Sequence, residues 1–306
     1  MRRVAVTGLG VVSPVGNDVK TFWESLVNGK NGIDFITKFD TTDFKAKLAG
    51  EVKDFDPSPY MDKSEIRRSD MFVRYAIAAA SQAVWESKIE GNIDPERFGV
   101  YFGSGIGGFD TMTAEHDNYL AKGPSRVSPH FITKMISNMG AGNIAIKFNA
   151  KGPCLSFTTA CATGSTALGE AYRAIAGGYA DAIIAGGVDA AICPLAVAGF
   201  SNLTALSEST DKDAASIPFD KRRNGFVIGE GAGAIVLEEY EHAKKRGAFI
   251  YAEMCGYGST CDAHHVTAPD DSASASSKAI RDCLTESGKK FDPNKIYFNA
   301  HGTSTP

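Results

Sequence analysis

Residues 72–87 carry apolar side chains at the spacing of an amphipathic α-helix. The apolar positions advance alternately by three residues and by one, so they share one helical face. Such a helix buries that face against the rest of the fold. The positions are Phe72, Tyr75, Ala76, Ala79, Ala80, Ala83 and Val84.

Short apolar segments between the helical stretches have the length and composition of β-strands. Many are followed by a glycine, which lets the chain leave a strand sharply. Strands that alternate with amphipathic helices predict an α/β fold with a mostly parallel sheet. The predicted strands cover residues 4–8, 98–102, 155–160, 182–185, 234–237, 250–256 and 296–300.

The composition is that of a soluble globular protein. Its 306 residues, 43% of them hydrophobic, can bury a large core as one domain or two. No apolar run is long enough to cross a membrane and the start lacks a signal peptide, so we expect a cytoplasmic protein. A net charge of −4 disfavours nucleic acid and anionic membrane as partners.

The cysteines do not have the spacing of a disulfide framework or a metal site. No CxxC pair occurs, and no histidines lie near them at ligand intervals. The sequence therefore predicts no bound metal. The six are Cys154, Cys161, Cys193, Cys255, Cys261 and Cys283.

Two segments resemble each other weakly and indicate an internal duplication. Residues 94–103 and 292–302 both begin with Asp-Pro after a helical stretch and continue through an apolar strand to a glycine. The first copy continues for roughly 135 residues after its glycine and the second for only four. We therefore expect an incomplete second half, with a chance resemblance of two turns as the alternative.

Cys161 is the first candidate for chemistry. It stands where a β-rich run ends and a helix rich in small residues begins. Unpaired N–H groups and the helix dipole at such a point stabilise a thiolate, which is a nucleophile without a strong base beside it. The Cys161 N–H is also available to a thioester oxyanion. The alternative is a small, inert core cysteine.

His301 is the second candidate. Residues 299–306 deliver this histidine from a predicted strand into a turn bordered by hydroxyl residues. The carboxyl ends of strands are where open α/β sheets place ligands. A structural histidine is the alternative.

Two glycine-rich stretches are weaker signals. Residues 103–108 spell GxGxxG after a strand, but Gly123-Pro124 interrupts where a helix should lead on to an acidic strand end. Residues 229–233 precede a strand, where glycine allows close packing. Neither is followed by a Walker A lysine, so no nucleotide cofactor is predicted.

Three motifs together resemble the β-ketoacyl-acyl carrier protein synthases, type I and II condensing enzymes of the thiolase-like superfamily. They are Thr-Ala-Cys-Ala-Thr-Gly at 159–164, Pro-Phe-Asp at 218–220 with the run 225–233, and Asn-Ala-His-Gly-Thr-Ser-Thr at 299–305. The resemblance runs from residue 4 to residue 306. It implies a thiolase-like fold of duplicated αβαβα layered halves, with residues 1–248 as the half that carries the nucleophile and 249–306 as the start of the second half.

The resemblance also implies an activity and a set of site residues. The family performs a decarboxylative condensation of malonyl-acyl carrier protein with an acyl group held on the cysteine. It works as a homodimer without a cofactor of its own, because the phosphopantetheine arrives on the carrier protein. Cys161 and His301 match the catalytic positions, Ile106, Phe131 and Phe200 the acyl pocket, Thr303 and Thr305 the pantetheine site, and Lys63, Arg67, Arg68 and Arg126 the carrier-protein surface.

Alternatives to a fatty-acid enzyme remain open. A polyketide ketosynthase shares the same cysteine and histidine motifs. The family's second histidine, its lysine and its gating loop lie beyond the equivalent of Pro306, so a truncated chain that binds carrier protein without turnover is the non-enzyme alternative. Acyl loading separates these readings, because a binding module gains no covalent mass.

Overall fold

Nine β-strands form two sheets in the computed structural model, which describes every residue from Met1 to Pro306. Six strands make a central sheet and three make a small one. The strands are β1 (Val4–Val12), β2 (Asp34–Phe35), β3 (Leu48–Gly50), β4 (Phe98–Gly103), β5 (Cys154–Leu155), β6 (Ala182–Asp189), β7 (Ile228–Gly229), β8 (Gly231–Glu239) and β9 (Ala252–Met254).

The central sheet is mixed, with the order β5-β4-β6-β8-β1-β9. β4 lies parallel to β5 and β6, whereas β8 runs antiparallel to β6 and β1, and β9 runs antiparallel to β1. The expected mostly parallel sheet was therefore wrong. The connection from β6 to β8 stays at one end of the sheet, so β8 must run back against its neighbour instead of crossing over as in a βαβ unit.

Helices cover both faces of the central sheet. The predicted helix at 72–87 is confirmed as α3, whose first turn is capped by the Asp70 side chain, which accepts a hydrogen bond from the Phe72 N–H. The helices are α1 (Val19–Val27), α2 (Lys63–Arg67), α3 (Met71–Ser87), α4 (Phe109–Lys122), α5 (Phe131–Met135), α6 (Met139–Lys147), α7 (Thr163–Ala176), α8 (Pro194–Asn202), α9 (Tyr240–Lys245) and α10 (Ser274–Ser287). None of them combines the length and apolar character needed to cross a bilayer.

Alternate side chains of the central strands enter two different cores. Ile184 of β6 and Val236 of β8 pack in the core that contains α3. Their chain neighbours Ile183 and Leu237 pack in the core that contains α7. Because successive side chains of a strand point to opposite faces, the sheet separates an α3 layer from an α7 layer. This arrangement explains why these strands are apolar at nearly every position.

The contact between α3 and β1 requires glycine in the strand. A Cβ atom added to Gly8 would lie 2.0 Å from the carbonyl oxygen of Ala83, and one added to Gly10 would lie 1.9 Å from that of Ala79. The alanine-rich face of α3 therefore lies directly against the β1 backbone. A larger residue at either glycine would push the helix off the sheet.

Two of the predicted strands were wrong, and a third was too long. Residues 296–300 lie in neither sheet, and a strand needs a hydrogen-bonded neighbour. The prediction at 250–256 shortens to β9. At 155–160 only Leu155 belongs to a strand. The remaining predictions coincide with β1, β4, β6 and β8.

The turn that precedes each copy of the weak repeat has the same local structure. Asp94 accepts a hydrogen bond from the Glu96 N–H and caps the 3₁₀ turn Pro95–Arg97. Asp292 accepts one from the Asn294 N–H and caps the turn Pro293–Lys295. The two copies differ afterwards, because only the first continues into a strand.

Candidate active site

Cys161 lies in a 3₁₀ turn, Ala160–Ala162, that runs directly into α7. The side chain is exposed. The cysteine therefore precedes the helix instead of beginning it, and the expected strand that leads to it is replaced by irregular backbone. Ala160 has a φ of 48°, a left-handed conformation that is costly for a residue with a Cβ atom.

Side chains hold the turn Ala160–Ala162 in place, which is called the nucleophile turn below because Cys161 is the predicted nucleophile. The Thr159 N–H donates to the Thr163 hydroxyl at 2.9 Å, and the Thr158 hydroxyl donates to the carbonyl of Ser104 at 3.1 Å. The first turn of α7 has no side-chain cap, so its N–H groups have no side-chain acceptor. A negatively charged group formed at Cys161 would lie next to these donors.

The glycine-rich loop that carries Ile106 lies beside the nucleophile turn. A Cβ atom added to Gly105 would lie 3.7 Å from the carbonyl oxygen of Ala160. Ile106 itself is 36% exposed, at the surface next to the turn. Gly108, two residues further along the chain, donates its N–H to the carbonyl of Met135 in α5 at 2.8 Å.

Residues 301–305 dock against the loop 217–225. The hydroxyl of the buried Ser304 accepts a hydrogen bond from the Ile217 N–H at 3.0 Å, and its carbonyl accepts one from the Gly225 N–H at 2.9 Å. Arg223 donates from Nε to the carbonyl of Thr305 at 2.8 Å. The preceding His301 is exposed and takes part in no hydrogen bond.

A cleft of about 350 Å³ lies at this docked segment. The hydroxyls of Thr303 and Thr305 are 2.8 Å apart, so polar groups of the segment are held together here. The cleft is lined by Phe219, Arg223, Gly302, Thr303, Ser304 and Thr305.

The three predicted acyl-pocket residues fall in two places. Ile106 lies on the glycine-rich loop, which contacts α5, and Phe131 is the first residue of α5. Phe200 lies on α8 and packs edge-on against Phe226, with ring centroids 5.5 Å apart. Phe200 is thereby on the side of the 217–225 loop and the docked segment.

The predicted basic residues are all exposed and form no ion pair. Lys63 and Arg67 belong to α2, Arg68 is its C-cap residue, and Arg126 ends the 3₁₀ turn Pro124–Arg126. A capping box between Asp62 and Glu65 fixes the start of α2. The cations therefore occupy two separate surface elements and are free to meet an acidic partner.

Residues 1–243 match the family model described as the N-terminal domain of β-ketoacyl synthases, and residues 251–306 match that of the C-terminal domain. The chain belongs to the β-ketoacyl synthase family. Curated relatives of this family agree. The 3-oxoacyl-[acyl-carrier-protein] synthase 2 of Staphylococcus aureus is 47% identical over 307 residues, and that of Synechocystis is 48% identical over 308. Each alignment covers 100% of this chain and 74% of the relative.

Solved β-ketoacyl synthases have the same fold. One is a type II polyketide ketosynthase in complex with its acyl carrier protein and bound to a hexaketide, with a TM-score of 0.87, 33% identity and coverage of 99% of this chain and 74% of that chain. A β-ketoacyl synthase from Burkholderia phymatum has a TM-score of 0.86 and 32% identity, and the match covers 100% of this chain and 75% of that one. The thiolase-like α/β fold expected from the sequence is thus confirmed.

Three residues that hold the loops around this site were not predicted from the sequence. Asp189, the last residue of β6, accepts a hydrogen bond from the Ser104 hydroxyl of the glycine-rich loop, and its only sequence signal is a carboxylate at the end of an apolar run. Ser304 and Arg223 have no sequence signal, because their partners are 87 and 82 residues away along the chain. No group of three or more histidine, cysteine or acidic side chains in the chain is arranged to hold a metal ion.

Proposed function

We propose that the chain is an elongating 3-oxoacyl-acyl carrier protein synthase in which Cys161 carries the growing acyl group. The observation that carries the proposal is an exposed cysteine in a left-handed turn at the start of a helix, within a family whose curated relatives bear that activity in their names. No cofactor of its own is required, because the pantetheine arm belongs to the carrier protein.

The reaction proceeds in two half-reactions. In the first, Cys161 loses its proton and the thiolate attacks the thioester carbonyl of an acyl-carrier protein. The C–S bond to pantetheine breaks, the pantetheine sulfur leaves and takes up a proton in place of the one that Cys161 lost, and the acyl group stays on Sγ. The Cys161 N–H is available to the oxyanion that forms, next to a helix whose first turn has no side-chain cap. The site then holds a thioester.

In the second half-reaction, malonyl-carrier protein loses carbon dioxide, and the electron pair of the broken C–C bond forms an enolate. An N–H of His301 stabilises the enolate oxygen. The enolate carbon attacks the acyl carbonyl, a new C–C bond forms, and the Cys161 thiolate is released. Removing one such oxyanion donor typically costs about 3–4 kcal/mol of transition-state stabilisation.

The pantetheine arm and its carrier protein have candidate sites on the chain. Thr303 and Thr305 offer adjacent hydroxyls in the 350 Å³ cleft, which suits the polar groups of pantetheine. An acidic carrier protein would meet the unpaired cations despite the net charge of −4. The proposed contacts are Lys63, Arg67, Arg68 and Arg126.

We also propose a homodimer through the β5 edge of the central sheet. β5 is an end strand, and Leu155 on it is 48% exposed. Ile146 on the adjacent α6 is 80% exposed. An edge strand flanked by exposed apolar side chains is a common pairing surface.

Along the chain, we propose a domain boundary between residues 248 and 249.

A polyketide ketosynthase is the second candidate, since a solved enzyme of that class shares the fold with a TM-score of 0.87. Its identity of 33% is lower than the 47% of the Staphylococcus aureus synthase 2. The higher similarity favours fatty-acid elongation. A carrier protein that bears a saturated acyl group should therefore be accepted in preference to one that bears a polyketide intermediate.

Acyl loading tests the proposal directly. Incubation with acyl-carrier protein should add the mass of one acyl group to the protein, measured by intact mass spectrometry. Cys161→Ala should abolish the gain, whereas Cys261→Ala, which removes another exposed cysteine, should keep it. Loading that persists in Cys161→Ala would assign the acyl group to another residue, and no loading of the unaltered protein would favour a binding chain without turnover.

A further inference from the structure

Asp189 ends β6 at the point where the neighbouring strand β4 also ends. The two strands are parallel, with Gly103 opposite Gly187. On its other side, the Asp189 backbone pairs with Gly231 of β8. The Asp189 carboxylate is thus carried by an interior strand of the sheet and lies next to the loop that leaves β4.

The hydrogen-bond donors of this loop converge on the one carboxylate. The Ser104 hydroxyl donates to Asp189 Oδ1 at 2.8 Å, and the N–H groups of Gly105 and Ile106 donate to Oδ2 and Oδ1, each at 3.2 Å. The Gly107 N–H donates to the Ser104 hydroxyl at 2.8 Å. Four successive residues therefore depend on Asp189, directly or through one hydroxyl that is itself buried.

The loop also touches the nucleophile turn. The Ser104 carbonyl accepts a hydrogen bond from Thr158, and Gly105 faces the backbone of Ala160, the residue before Cys161. The loop is thus in contact with both the Asp189 carboxylate and this turn. Its glycines have wide conformational freedom, so the hydrogen bonds are needed to keep it in one position. The position of the loop fixes that of Ile106 relative to Cys161.

We propose that Asp189 is a positioning residue that sets the acyl-chain-length preference by holding the 104–107 loop against the nucleophile turn. The proposal rests on the proposed function, because Ile106 can limit an acyl chain only if Cys161 carries one. Asp189 touches none of the reacting atoms. When its hydrogen bonds are lost, the loop moves away from the turn and Ile106 no longer closes the pocket to long chains.

Asp189→Asn tests this role with little change of size. The amide keeps one acceptor oxygen but turns an NH₂ group toward a donor of the loop. The protein is loaded from a mixture of acyl-carrier proteins with acyl groups of increasing length. The ratio of kcat/KM for the longest and shortest donors should shift toward the longest by about tenfold, as expected for losing one hydrogen bond to a charged group. Loading by the shortest donor should stay within about twofold of the unaltered enzyme.

Two further variants separate positioning from general loss of stability. Ser104→Ala removes the hydroxyl that links the Asp189 carboxylate to the Gly107 N–H, so it should shift the ratio in the same direction. The double variant should shift the ratio less than the two single effects combined. Asp181→Asn removes a carboxylate next to the other end of β6 and should lower Tm while leaving the ratio unchanged.

The outcomes are distinct. An unchanged ratio in both Asp189→Asn and Ser104→Ala, with normal loading of Cys161, would overturn the role of Asp189 and leave the proposed function standing. An equal shift in Asp181→Asn would also overturn it, since instability alone would then explain the result. If the unaltered enzyme gains no acyl group, the proposed function fails first.

Discussion

The six thiols of the chain differ in their surroundings, and the environment of Cys161 suits a nucleophile. Cys193 is buried, and burial raises the pKa of its thiol. Burial also raises the pKa of Cys283. Cys161 is exposed, and it stands beside the uncapped N–H groups of α7. Reactivity should therefore follow the local backbone more than exposure alone.

Limiting iodoacetamide at neutral pH should alkylate Cys161 first. The physical reason is that helix N–H groups stabilise the thiolate, which is the reacting species. Peptide mass mapping over a time course measures the order. The exposed Cys261 serves as the internal comparison, and earlier labelling of Cys261 or Cys193 would contradict the assignment.

Ile106→Phe should shorten the range of accepted primers and spare two-carbon ones. The larger ring would occupy space on the loop beside the nucleophile turn, and the β-branched isoleucine already has restricted rotamers there. Competition between acyl-carrier protein donors measures the profile. Ile280→Phe, at an exposed position of α10, is the matched control. A profile that does not change in Ile106→Phe would remove Ile106 from the pocket.

At the scale of elements, the segment with His301 is held by the loop 217–225 instead of by a sheet. Ser304 supplies both a hydroxyl and a carbonyl to this contact. Its backbone has a φ of 66°, so the segment turns sharply at the point where it is buried. The position of His301 therefore depends on a loop that is far away along the sequence.

Ser304→Ala should loosen this contact. The Ile217 N–H would lose its acceptor, and a net loss of about 1 kcal/mol corresponds to roughly fivefold to tenfold faster hydrogen exchange at that amide. Exchange measured by mass spectrometry over residues 217–225 tests it. Ser276→Ala removes an exposed hydroxyl and should leave this segment unchanged. Equal protection in both variants would mean that Ser304 does not hold the loop.

Elements with local signals were predictable from the sequence, and those with distant partners were not. The helix α3 followed from its own apolar spacing, and β4, β6 and β8 from apolar runs buried on both faces. Residues 155–160 are apolar enough for a strand, but the hydroxyls of Thr158 and Thr163 bind backbone groups and hold a different conformation. The direction of β8 could not be derived, because it is set by how a long connection returns to the sheet.

The same distinction applies to the candidate site. Cys161 and His301 stand in short motifs that are visible in the sequence, although their roles are still proposals. Asp189 acts across 85 residues on Ser104, and no local pattern links the two. Reactive residues are therefore easier to predict from the sequence than the residues that hold them in position.

At the scale of the whole molecule, carboxylates join the N-terminal residues to the body of the fold. Asp181 accepts hydrogen bonds from Arg2 and Arg97, and Arg97 is the main reason that its pKa is lowered. Glu253 accepts from Arg3, which lowers the pKa of the glutamate to about 2. Carboxylates with lowered pKa stabilise the fold above their ordinary pKa, and that stability is lost as the pH falls through the folded-state pKa.

Asp181→Asn should therefore destabilise the protein at neutral pH and have little effect in acid. The loss should be about 1 kcal/mol at pH 7, after screening by solvent is allowed for. It should shrink as the pH falls from the ordinary aspartate pKa of 3.8 through the lower pKa of the folded protein, because the unfolded state then binds a proton before the folded carboxyl does. Tm measured against pH for both proteins tests this, and a difference independent of pH would contradict the ion-pair explanation.

The position of β1 has a consequence for synthesis on the ribosome. β1 is among the first residues to emerge, yet its sheet neighbours β8 and β9 lie more than 200 residues later. At about 5–20 residues per second, the strand waits on the order of 10 to 50 s for a partner. During that time α3 is the main element available to cover it, through the close contact at Gly8 and Gly10. Nascent chains released before residue 231 should thus present an unpaired strand to chaperones, and those released after residue 254 should not.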